Sequence, residues 1–147
     1  MGILYQIDKK LGVAFTIWDG AVTPAVQLAH LQKMGADPQW PAKTRLLLVD
    51  LQTTSAYKYF SEDDLKKVVA YFGKRRKTLV NLKVAIIARE AYDLSSIFQR
   101  LMTVYPANII VFNDLHTACT WLGVDAGVAE TTLQLLRAQL REGTSPA

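Results

Sequence analysis

Three runs of the chain are apolar at every position: Leu46-Leu47-Leu48-Val49, Val84-Ala85-Ile86-Ile87 and Ile109-Ile110-Val111-Phe112. A strand with one wet face alternates polar and apolar residues. An unbroken run therefore predicts a strand covered on both faces, as in the middle of a parallel sheet. With their flanks, these runs predict strands over about 45–51, 83–88 and 108–112. Two more β-prone stretches, about 3–8 and 13–18, surround Asp8-Lys9-Lys10-Leu11-Gly12, which reads as a hairpin turn. The second is stopped by Asp19-Gly20.

Between the strands the apolar period changes to that of a helix. Thr23 is a cap and Pro24 suits the first helical position, so a helix runs to about Met34 and stops at Gly35. The stretch from Asp37 to Pro41 is a proline-fixed loop, and a second loop runs from Gln52 to Phe60. Ser61 followed by Glu62, Asp63 and Asp64 is a helix start, with Leu65, Val68, Val69 and Phe72 on one face. Leu94, Ile97, Phe98, Leu101 and Met102 form the next stripe, ended by Pro106. Asp114 caps a short helix closed by Gly123, and a last helix spans about 126–141. The order β-β-α-β-α-β-α-β-α-α predicts an α/β fold: a mixed, mostly parallel five-stranded sheet with helices on both faces. Leu46, Leu48, Val84, Ile86, Ile109 and Val111 should be buried in it.

At 147 residues, half of them hydrophobic, the chain suits one domain with a real core and excludes disorder. We place that domain at residues 1–123. The helix over 124–142 carries the stripe Leu133, Leu136 and Leu140, which packs either on the domain or on a second copy in a homodimer. A flexible tail is expected at residues 143–147. The net charge of +4 is partly concentrated in Lys74-Arg75-Arg76-Lys77. That run reads as a solvated helix end rather than a nucleic-acid patch. No signal peptide and no membrane span are evident, and the single cysteine, Cys119, cannot make an internal disulfide. A cytoplasmic protein is expected.

The strand order and several strand sequences together resemble the anti-sigma-factor-antagonist (STAS) superfamily, and within it the uncharacterised bacterial SpoIIAA-like proteins. The residues concerned are Gly12-Val13-Ala14-Phe15, Leu47-Leu48-Val49-Asp50-Leu51, Lys83-Val84-Ala85-Ile86-Ile87-Ala88 and Val111-Phe112-Asn113-Asp114, with Ala118 and Trp121-Leu122-Gly123. The resemblance implies the fold and a regulatory protein-interaction role. Antagonist members carry Asp-Ser-Ser/Thr-Gly after the third strand, and a partner kinase phosphorylates its serine. Ser61 falls close to that place, but the flanking Asp and Gly are missing. Three carboxylates follow it and would repel a phosphate. These departures argue against the phosphoswitch.

Candidate chemistry is sparse. His116 and Cys119 stand three apart and could share a helix face, but two ligands fall short of the four of a structural zinc site. No Gly-x-Ser-x-Gly elbow and no Gly-rich phosphate loop occurs. We therefore expect no enzyme, no metal and no cofactor. Ligands of open α/β sheets bind beyond the carboxyl ends of the strands. Those ends carry Asp19, Asp50, Arg89 and Asn113, and the aromatic loop with Tyr57, Tyr59 and Phe60 leads to Ser61 over the same edge. These eight residues are the candidate surface. Two functions are open: binding of another protein, or binding of a small apolar or lipid molecule in the crevice at the strand ends.

Overall fold

The computed structural model describes residues 2–40 and 44–143. One sheet runs β1 (Gly2–Asp8), β2 (Val13–Gly20), β3 (Leu46–Thr54), β4 (Lys83–Ile87), β5 (Asn108–Phe112) in that spatial order. β1 is antiparallel to β2, and the other pairings are parallel. The helices are α1 (Pro24–Gly35), α2 (Glu62–Gly73), α3 (Tyr92–Leu101), α4 (Leu115–Leu122) and α5 (Ala126–Gly143). The element order and mixed, mostly parallel sheet are those the sequence predicts.

Because neighbours in the chain are neighbours in the sheet, each right-handed crossover steps the same way and leaves its helix on the same face. That face carries α1, α2 and α3. α4 and α5, which follow the last strand, cover the other. Local chemistry sets the helix starts. The Thr23 side chain accepts a hydrogen bond from the Val26 N–H, and Asp114 accepts from Thr117. Gly123 closes α4 in the left-handed conformation, at φ 75°.

Alternate side chains of the strands feed two cores. Val13, Phe15, Ile17, Leu48, Ala85 and Ile87 face α4 and α5, where they meet Cys119, Leu122, Leu133, Leu136 and Leu140. The stripe of α5 is thus covered within the chain. The opposite parity, including Trp18, Val84 and Ile86, packs with Leu65, Leu79 and Met102. Of the six residues expected to be buried, Leu48, Val84 and Ile86 are. Leu46, Ile109 and Val111 are only half-buried, since β5 is an edge strand and Leu46 stands at the margin of β3.

A second correction concerns the segment after Leu51. It continues as strand to Thr54, and a single turn of 3-10 helix follows at Ala56–Lys58. Ile17 pairs with Asp50, but Asp19 pairs with Thr53, so β3 carries one extra residue. Such a bulge re-aims side chains, and here it turns Thr53 toward α5. The result is a chain of polar contacts. The Arg137 guanidinium donates to Asp50 at 2.9 Å and to the Thr53 hydroxyl at 3.2 Å. The Thr53 hydroxyl donates to Asp19 at 2.7 Å, and Asp19 pairs with Arg141 at 3.1 Å. Burial opposes the Asp19 charge. Hydrogen bonds from Arg141 and Thr53 outweigh it and hold the carboxyl below its ordinary pKa.

Asp50 is 2% exposed. Removing one partner of a buried ion pair strands the other charge, at a cost of roughly 3–5 kcal/mol. Arg137→Met should therefore destabilise the domain by about 3 kcal/mol in chemical denaturation. An exposed substitution on the same helix, Gln134→Ala, should change stability by less than about 0.5 kcal/mol.

Candidate functional site

The feature that stands out is a cavity of about 140 Å³ between the sheet and the layer of α1, α2 and α3. Its floor is two ranks of strand residues. Thr16, Val49 and Ile86 lie side by side in one, and Leu47, Val84 and Ile109 in the next. Leu47 and Val49 belong to the central strand yet are only half-buried, because the cavity lies above them. α1 supplies Gln27, His30, Leu31 and Met34, whose spacing sets them on one helix face. α2 supplies Leu65, Tyr71 and Phe72, and α3 supplies Leu94, Ser95 and Phe98, with Ala91 just before it. Trp18 and Phe60 close one end, their rings tilted at 36° with centroids 6.0 Å apart. The Tyr71 hydroxyl donates to the Leu31 carbonyl at 3.1 Å and ties α2 to α1.

The lining is mostly apolar, with a few polar atoms whose placement is unusual. The Thr16 hydroxyl, the Ser95 hydroxyl and the Gln27 Oε1 are buried and have no hydrogen-bond partner in the structure. His30 borders both this cavity and a neighbouring groove of about 260 Å³ between β1 and α1. Its ring meets that of Tyr5 edge-on at 5.7 Å. Burial, aided by the Lys33 charge, lowers the His30 pKa to about 4, so the imidazole is neutral at neutral pH. Tyr5 donates to Asp37 at 2.7 Å, and its phenol is pushed up to about 12 by burial and by that carboxylate.

Of the eight residues proposed from sequence, Phe60 lines the cavity. Tyr57 is half-buried and donates to Glu90 at 2.7 Å, while Tyr59 is exposed. Ser61 is the cap of α2. Its hydroxyl accepts from the Asp64 N–H, and Asp64 accepts in return from the Ser61 N–H. Asp19 and Asp50 are held by α5, and Arg89 and Asn113 are exposed on the loops after β4 and β5. The structure thus gathers Asp19 with Asp50 and leaves the others dispersed along the carboxyl edge. The cavity residues Thr16, Gln27, His30 and Ser95 were missed. The available signals were a hydroxyl in the otherwise apolar strand Val13-Ala14-Phe15-Thr16-Ile17 and a serine on the apolar stripe of α3.

Cys119 is buried in the α4 and α5 core, its thiol raised by burial, while His116 is exposed. Among the described residues no cluster of three His, Cys, Asp or Glu side chains could hold a metal ion. Nor, among them, is any helix long and apolar enough to cross a membrane.

No family model and no curated protein matches the sequence. A solved structure does match: an uncharacterised protein of the DUF3478 family from Shewanella loihica PV-4, described as having a SpoIIAA-like fold. The two share 18% identity at a TM-score of 0.53, over 82% of this chain and 94% of that one. The chain has a SpoIIAA-like fold. The likeness reaches the architecture that the strand sequences resemble, and at this identity it shows the fold alone. The cavity is built between the sheet of that fold and the three helices on one of its faces.

Two outcomes follow from the groups described. The folded pKa of His30 lies below its ordinary 6.5, so the unfolded chain binds the extra proton first. Stability should fall as pH drops from about 6.5 toward 4. His30→Leu should flatten that part of a stability curve measured by denaturation at each pH. Ser61→Ala should cost about 1 kcal/mol through loss of the cap, seen as a lower unfolding midpoint.

Proposed function

We propose that this domain binds a small, largely apolar molecule in the cavity beneath α1, α2 and α3, as a binding module rather than an enzyme. The observation that carries the reading is the cavity itself. It has about 140 Å³ of space over the centre of a sheet that is tightly packed on its other face. Interiors normally close such voids. An apolar cavity of about 150 Å³ is large enough to take up benzene. Its polar groups, Thr16, Gln27 and Ser95, suit orientation of a ligand.

The partner-binding reading leans on the aromatic loop. Phe60 is committed to the cavity wall and Tyr57 to Glu90, which leaves Tyr59 as the exposed ring of the three. The cavity is the better supported site.

The test is to fill it. Val49→Phe adds bulk to the middle of the floor. Titration with benzene followed by two-dimensional amide NMR should show shifts at Val49, Ile86 and Leu94 in the parent protein. Val49→Phe should weaken binding at least 10-fold while the domain stays folded. Undiminished binding by a folded Val49→Phe would overturn the assignment.

A further inference from the structure

The cavity holds more polarity than an apolar guest needs. Thr16 is 2% exposed and Ser95 4% exposed, and both hydroxyls lack a partner. A buried hydroxyl left unpaired forfeits its hydrogen bonds to water with nothing in exchange. Local escape routes exist for both. A helical serine can bond back to the carbonyl one turn earlier, and Ser95 does not. A valine has nearly the shape of a threonine and fits a strand interior at least as well. Yet among the strand residues that line the cavity Thr16 is the polar one, the rest being aliphatic or Trp18. The third orphan, Gln27 Oε1, belongs to α1 on the opposite wall.

Resting on the cavity reading, we infer that the ligand is an uncharged, ring-sized alcohol or phenol whose hydroxyl group is received by the unpaired polar groups of the lining, which are those of Thr16, Ser95 and Gln27. The hydroxyls of Thr16 and Ser95 can each give or take a hydrogen bond, whereas the Gln27 oxygen only takes one. A ligand hydroxyl can pair with any of these groups, because it both gives and takes a hydrogen bond. A carboxylate could not be received by the Gln27 oxygen and would be costly to bury without a cation. Arg75 does border the cavity, but it is exposed, with its guanidinium 3.8 Å from the Tyr71 ring centre. Charge therefore stays at the rim. The volume sets the size, near that of a single six-membered ring.

Benzene and phenol differ by the one group at issue, so calorimetric titration with each separates the two levels of the argument. The parent protein should bind phenol about 10-fold more tightly than benzene. Thr16→Val and Ser95→Ala should each reduce that preference, and the double variant should bring it to within about 2-fold. Neither substitution should lower the unfolding midpoint, because each removes an unpaired buried group. The single variants carry the test if the double variant does not fold.

Equal affinity of the parent protein for the two probes would overturn the hydroxyl inference and leave the apolar cavity reading standing. So would a phenol preference that survives both substitutions. Failure of both probes to bind would overturn the cavity reading and this inference with it.

Discussion

Everything distinctive in this domain follows from the direction of its crossovers. Four strands laid down in chain order, each joined to the next by a right-handed connection, must carry their helices on one face. The opposite face of the sheet is equally apolar, with Phe15, Ile17, Leu48 and Ile87 fully covered there. α4 and α5 are the elements that cover it. The chain has to return across the sheet after β5, and α5 reaches back to β1 and β2 at the far edge.

The two faces are closed by different means. On the α5 side, aliphatic packing is locked by ion pairs at the strand ends, where Arg137 and Arg141 meet Asp50 and Asp19. These carboxylates stand where a doubly wound sheet often places ligand groups, but their charge is satisfied from within the chain. The bulge after Asp50 belongs to the same arrangement, because it brings Thr53 between the two pairs. On the other side, α1 contributes one fully buried residue, Met34. The bond from Tyr71 to the Leu31 carbonyl ties α1 to α2. A helix held in this way leaves space beneath it.

That difference explains why the polar residues on the two sides carry different meaning. Asp19 and Asp50 are costly to bury but paired, which makes them part of the scaffold. Thr16 and Ser95 are cheap to bury when paired, and neither is. Within this frame the unpaired hydroxyls, unlike the paired charges, are buried polar groups whose cost the fold does not offset.

The sequence by itself determined the architecture. Unbroken apolar runs at 46–49, 84–87 and 109–112 mark three of the strands, and Ser61, Asp114 and Gly123 mark helix ends through bonds made within a few residues. Such signals are local, so they are legible without the fold. The bulge in β3 was not, because it is defined by register against β2 and not by its own residues. Nor was the fate of Asp19 and Asp50, whose partners lie 122 and 87 positions away on α5. The same holds for the site. Tyr57, Tyr59 and Phe60 look alike in sequence, and only tertiary structure separates a ring bonded to Glu90, a ring in solvent and a ring walling a cavity. A cavity is space that several distant elements fail to fill, and that failure is a property of their packing rather than of any residue.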